Sequence, residues 1–162
     1  MSMKLYLLRH ANAEPGYPDA TRLLTSRGRH QARELGRFFR DKPRFAPALL
    51  WCSPLVRAQE TVTCFVEGWG ATIAEQSVEE RLEPEMDPGP LLEKLQSIRQ
   101  DVLIVGHNPN LQILASLLLS HERHRTRVRF KTCSLMCLEW HPLPNYGQFG
   151  PCELCWMLDP RW

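Results

Sequence analysis

Three short apolar runs in this chain each stop at a polar turn, and each then gives way to residues spaced like a helix. The first, Lys4 to Leu8, ends at Arg9-His10; past the loop formers Pro15, Gly16 and Pro18, a helix from Thr25 places Ala32, Leu35 and Phe39 on one face. Arg29, Arg33, Arg37 and Arg40 fall on another face, read as solvated. The second run, Ala48 to Cys52, is halted by Ser53-Pro54, after which Leu55, Ala58, Val62 and Phe65 recur at helical spacing. The third, Asp101 to Val105, ends at Gly106-His107-Asn108-Pro109, where Asn108 can cap a helix with Pro109 at its first position, leading into Leu111 to Leu119. Leu91, Leu92, Leu95 and Ile98 mark a further amphipathic helix. Ala71 to Ala74, Val128 to Trp140 and Glu153 to Leu158 read as strands, with Pro142 to Pro151 as a loop. Strands that are apolar on both faces need helices above and below. The expected fold is therefore α/β, a three-layer α/β/α sandwich with a mostly parallel central sheet. The 162 residues hold no internal repeat or long linker, so residues 1–162 are read as one domain.

Composition narrows the function classes. At 43% hydrophobic and 23% charged, the chain can build an ordinary buried core, and a formal net charge of +2 is too mild for a nucleic-acid binder. Sixteen of the twenty basic residues are Arg, whose planar donor fork suits carboxylate and phosphate. Leu111 to Leu119 is interrupted by Gln112 and Ser116 and is too short for a membrane span, so no membrane role is expected. Met1-Ser2-Met3-Lys4 runs straight into the first apolar segment without a cleavable leader. The cysteines Cys52, Cys64, Cys133, Cys137, Cys152 and Cys155 sit in or beside apolar segments. They are read as reduced, and the protein as cytoplasmic.

Ligands of such sheets collect beyond the carboxyl ends of the strands. Arg9-His10, Ser53-Pro54 with Arg57, and Gly106-His107 are expected to converge there, giving a compact positive pocket of the size and sign of a phosphoryl group. Taken singly, each His reads equally well as a satisfied strand-end residue; the case rests on both in register with two arginines. Ser53 and Asn108 are candidates for pocket hydrogen bonds, although turn and capping roles explain them equally well. His30, His121, His124 and His141 lack such company and are read as surface residues.

Leu8-Arg9-His10-Ala11, Leu24-Thr25 with Gly28 and Gln31-Ala32, Ser53-Pro54-Leu55 with Arg57-Ala58 and Glu60-Thr61, and Val105-Gly106-His107-Asn108 together resemble the histidine phosphatase superfamily, with its phosphoglycerate mutase-like fold. The short chain is similar to its small phosphohistidine phosphatase branch, the SixA type, rather than to the larger mutases. Ala11 stands where the family most often has Gly. The resemblance implies His10 as a nucleophile that becomes transiently phosphorylated, with Arg9, Arg57 and a protonated His107 binding the phosphoryl oxygens and Ser53 and Asn108 beside them. It implies no metal and no other cofactor. The implied partner is a phosphorylated substrate, a phosphohistidine-bearing protein, met by a monomer.

Many members of the superfamily carry an acid that protonates an ester leaving group, a contribution of roughly 10²–10⁴-fold. Here Glu79, Glu80, Glu83, Glu85 and Asp87 crowd the corresponding stretch and spacing assigns none of them. An acid-poor site favours phosphoramidates; entry of Glu80, Glu83 or Glu85 would favour small phosphate esters. A small-molecule phosphomonoesterase and a noncatalytic phosphoanion- or phosphoprotein-binding module are the alternatives.

Other chemistries fit less well. Cys52 precedes Arg57 one residue too closely for a cysteine phosphatase loop, and Ser53-Pro54-Leu55-Val56 lacks the glycines such a loop needs. Cys152 and Cys155 with Cys133 and Cys137 suggest zinc only weakly; on one strand Cys133 and Cys137 would lie about 13 Å apart, too far to share one ion. Arg123, Arg125, Arg127, Arg129 and Lys131 alternate, which on a strand puts them on one face. That face reads as edge protection, or more sharply as a docking rim for an acidic protein.

Overall fold

The computed structural model describes residues 2–141 and 151–161. Its strands are β1 (Met3–Arg9), β2 (Leu49–Cys52), β3 (Glu75–Val78), β4 (Val102–Gly106), β5 (Leu135–Trp140) and β6 (Glu153–Leu158). The helices are α1 (Ser26–Phe39), α2 (Val56–Trp69), α3 (Leu91–Gln96) and α4 (Asn110–Ser120). All six strands form one sheet in the order β3-β2-β4-β1-β5-β6.

The sandwich is the expected one, but the sheet is parallel only over β3-β2-β4-β1; β5 pairs antiparallel with β1, and β6 antiparallel with β5. Alternation along the central strands sorts the core into two layers. Leu5 and Leu7 of β1 pack with Trp51, Ile104, Leu114 and Leu118 on the α3–α4 side. Tyr6 and Leu8 face the other way, with Leu50, Val105, Leu35 and Phe65 on the α1–α2 side. A Cβ on Gly36 of α1 would lie 2.1 Å from the Phe65 carbonyl oxygen of α2, so the closeness of these helices depends on the missing side chain.

Several local expectations need correction. Residues 71–74 are not a strand; the strand is polar, exposed Glu75–Val78, which has no apolar pattern and is defined by its backbone pairing to β2. The long strand Val128 to Trp140 is only Leu135–Trp140. Arg123 to Lys131 is an irregular connection: the Thr126 N–H donates to Ser116 Oγ of α4, Phe130 is buried, and Cys133 at φ 63° breaks an extended path. The basic side chains therefore do not share a strand face. Asn108 does not cap α4, because its side chain turns to the Phe130 carbonyl and the helix begins after Pro109. The arginines of α1 are not simply solvated: Arg29 and Arg33 pair with Glu60 and Glu67 of α2. The expected loop Pro142 to Pro151 lies, but for Pro151, outside the described residues.

Candidate active site

Strand register assembles the cluster. Arg9 lies opposite Gly106 and Cys52 opposite Val105, so His10, Ser53 and His107 leave neighbouring strands at the same carboxyl edge. The His10 N–H donates to the Gly106 carbonyl and the Ser53 N–H to that of Val105, both at 3.0 Å. The two imidazole rings lie 5.0 Å apart. Arg9 ends β1 and Arg57 stands in the first turn of α2, so all four expected catalytic residues come together.

His10 is held as a defined tautomer. Its Nδ1 lies 2.7 Å from the Ala11 carbonyl oxygen, which can only accept, so Nδ1 carries the proton and Nε2 keeps its lone pair. Burial, opposed by that hydrogen bond and reinforced by Arg57, Arg9 and Arg22, lowers the His10 pKa to about 4. The loop is anchored by one hydroxyl: Thr61 Oγ1 of α2 accepts the Ala11 N–H at 2.9 Å and donates to the Arg57 carbonyl at 2.7 Å. Further along, a Cβ on Gly28 would fall 2.0 Å from the Asn12 carbonyl oxygen, which explains a glycine where this loop meets α1.

The His107 pKa is lowered to about 3 by burial, then by His10 and Arg57, against a smaller opposing pull from Asp19, which disfavours the protonated form that the resemblance implies. Its Nε2 lies 2.7 Å from Ser53 Oγ. Ser53 Oγ also accepts the Leu55 N–H at 3.2 Å, which fixes its place beside the His107 ring. Ser53 is thus placed against His107, and Asn108 against the wall formed by Phe130.

The arginines are fixed by groups the sequence motifs did not indicate. Arg57 Nη1 donates to the Asp19 carbonyl at 2.9 Å and Nη2 to Asp19 Oδ2 at 3.1 Å. Asp19 lies on a short 3₁₀ turn, Asp19–Thr21, and also pairs with Arg22 at 2.9 Å. Arg9 Nη1 and Asn108 Nδ2 both donate to the Phe130 carbonyl at 2.9 Å. Asp19 and Arg22 sit on and just after a three-residue 3₁₀ turn and Phe130 in an irregular segment, where no periodicity or motif singles them out. Among the described residues, five buried side-chain polar atoms lack a hydrogen-bond partner, and four belong here: Arg9 Nε, Arg57 Nε, His107 Nδ1 and Asn108 Oδ1. Two of these four, the arginine Nε–H groups, are cationic donors, a pattern suited to an oxygen-rich anion.

The acidic stretch runs along the same strand ends, with the Glu79 N–H on the Cys52 carbonyl and the Leu82 carbonyl beside Gly106. Glu79 is buried and paired with Lys94, Asp87 pairs with Arg123, and Asn110 Nδ2 pins the intervening loop through the Arg81 and Met86 carbonyls. Glu80, Glu83 and Glu85 make no hydrogen bond or ion pair with Arg9, His10, Arg57 or His107. Burial pushes the Cys52 thiol up to about 12, which removes it as a nucleophile at neutral pH. Among the described residues no group of three or more His, Cys, Asp or Glu is disposed to hold a metal ion, and no helix is long and apolar enough to cross a membrane.

The fold is shared with solved structures. A protein histidine phosphatase SixA complexed with tungstate superposes with a TM-score of 0.79 at 21% identity, covering 96% of each chain. The SixA protein of Agrobacterium tumefaciens, described as a phosphohistidine phosphatase, gives 0.75 at 22% identity over 98% of each. That of Nakamurella multipartitia gives 0.71 at 21%, covering 99% of this chain and 97% of the other. No curated protein sequence matches the chain. The sequence profile of the histidine phosphatase superfamily (branch 1) matches residues 5–100, which takes in Arg9, His10, Ser53 and Arg57 on the strand and helix ends just described. By that match over more than half its length, the chain belongs to the histidine phosphatase superfamily.

Proposed function

We propose that this superfamily member hydrolyses phosphohistidine on a protein through a covalent phosphohistidine at its own His10. The observation that carries the reading is the tautomer of His10, with Nδ1–H tied to Ala11 and an unprotonated Nε2 in a cluster of unpaired cationic donors. Nε2 attacks phosphorus, a new P–N bond forms, and the bond to the substrate imidazole breaks with its electron pair leaving on that nitrogen. Arg9 and Arg57 bind the equatorial oxygens and stabilise their charge, with His107 beside them. Water then attacks the phosphorus, the His10 P–N bond breaks, and Nε2 regains its lone pair as phosphate and a proton leave.

With the carboxylates of Glu79 and Asp87 engaged by Lys94 and Arg123 rather than by the cluster, the reading favours phosphoramidates over esters. A phosphorylated imidazole takes its proton on the remote ring nitrogen, within reach of solvent, and departs neutral. An alkoxide needs a donor at the scissile oxygen itself. The proposal places the enzyme in the reducing cytoplasm, in keeping with six unpaired cysteines, and has it act as a monomer without metal or cofactor.

The test compares wild type with folded His10→Ala on a phosphohistidine peptide and on an aryl phosphate. The proposal predicts phosphate release from the peptide by wild type alone. Cleavage of the ester only would overturn the substrate class and direct attention to Glu80, Glu83 and Glu85; cleavage of neither would favour a phosphoanion-binding module.

A further inference from the structure

The connection between α4 and β5 lies beside the candidate pocket and is joined to it at two peptide bonds. Pro109, which follows Asn108, and Arg129, which precedes Phe130, both line a surface groove of about 610 Å³. The Phe130 carbonyl receives hydrogen bonds from Arg9 and Asn108, so this wall is fixed to the groups that surround His10. Gln112 Nε2 donates to the Val128 carbonyl at 3.3 Å and holds the segment against α4. The groove is therefore a built feature, placed by the same contacts that place Arg9.

Its lining is of mixed character. Pro109, Ile113 and Val128 supply apolar surface, and Arg123, Arg127 and Arg129 supply charge. Arg123 is engaged by Asp87 and Arg125 by Glu122, whereas exposed Arg127 and Arg129 form no ion pair among the described residues. Two free guanidinium groups beside an apolar strip suit a polypeptide that presents carboxylates next to an aliphatic side chain. An inorganic anion would gain nothing from Ile113 and Val128, and two free arginines are too few for a nucleic-acid backbone track.

We propose that this groove docks an acidic segment of the phosphoprotein substrate, with carboxylates on Arg127 and Arg129 and an apolar side chain against Ile113 and Val128. The inference rests on the protein-phosphohistidine reading and adds the surface that selects the protein. Charges at such a rim act mainly on encounter rate and salt dependence.

The probe is a short phosphohistidine peptide made in two versions, one with Asp and Glu flanking a Leu and one with Asn and Gln in their place. Wild type is expected to prefer the acidic version by about tenfold in kcat/KM at low salt, and added salt to erase the preference. Arg127→Glu/Arg129→Glu should abolish it while changing turnover of free phosphohistidine by less than about twofold. Equal kcat/KM for the two peptides, or a preference retained in the double variant, overturns the proposal. If wild type cleaves an aryl phosphate but neither peptide, the substrate reading has failed. The docking claim is then decided by fluorescence anisotropy with the unphosphorylated acidic peptide: binding to wild type but not to the double variant upholds it, and equal or absent binding overturns it.

Discussion

Asp19 grips Arg57 twice, through its main-chain carbonyl at 2.9 Å and its carboxylate at 3.1 Å. The Arg57 side chain is 5% exposed and that of Asp19 59%, so a surface residue of the loop after β1 fixes a buried guanidinium of α2. Hydrogen bonds from Arg22 and Arg57 hold the Asp19 carboxyl below the usual carboxylate range. The pocket mouth therefore carries a fixed negative charge among its cations.

That arrangement predicts the effect of Asp19→Asn. The carbonyl contact to Arg57 survives, while the charge that opposes a bound anion is lost. Competitive inhibition by inorganic phosphate should tighten by about threefold or more, the scale of one partly screened charge. Weaker inhibition in the variant would show that the carboxylate serves chiefly to position Arg57.

The acid limb of kcat/KM should lie near pH 4 rather than near the usual histidine value. His10 must be unprotonated at Nε2 to attack, and burial with the flanking arginines brings its pKa to about 4. A pH–rate profile in a buffer other than phosphate checks this. A limb near pH 6.5 would mean that the nucleophile is not held in the buried, arginine-flanked state described.

Stability should fall as the pH is lowered from about 6.5 towards 4. His10 and His107 stay neutral in the folded protein down to about 4 and about 3, but protonate near 6.5 when unfolded. The unfolded chain therefore binds more protons across this window, and acidification favours it. His10→Ala should show a shallower fall in thermal midpoint over the same range; an identical slope would contradict the linkage.

Thr61→Val should destabilise the fold by about 1–3 kcal/mol and lower turnover. The substitution keeps the shape of the side chain but leaves the buried Ala11 N–H without its acceptor, next to His10. Chemical denaturation together with kcat reads both effects. A loss below about 0.5 kcal/mol would show that the loop has another anchor.

The parts of this site that were legible in the sequence are those that strand register dictates. His10, Ser53 and His107 end apolar runs, and parallel neighbours in register bring such ends together whatever their loops do. Arg57 followed because one helical turn separates it from Ser53-Pro54. Phe130 acts from an irregular segment through its backbone carbonyl, which any residue carries, and Asp19 acts from a three-residue 3₁₀ turn that no periodicity marks. The alternating arginines of residues 123–129 imitate a strand, and only buried Phe130 and left-handed Cys133 show why the chain does not extend there. The protonated His107 that the resemblance implies is disfavoured by burial, which a sequence does not display, and by cationic neighbours. The strand Glu75–Val78 was missed because an exposed edge strand needs no apolar residues.

The central claim is a phosphoryl group carried on one nitrogen of one residue. Rapid quenching of the enzyme with a ³²P-labelled phosphohistidine peptide, followed by mapping of the labelled site, tests it most directly. The account predicts transient, acid-labile label on Nε2 of His10, absent from a folded His10→Ala variant that also fails to release phosphate. Label on any other residue, or phosphate release by His10→Ala at the wild-type rate, would contradict it.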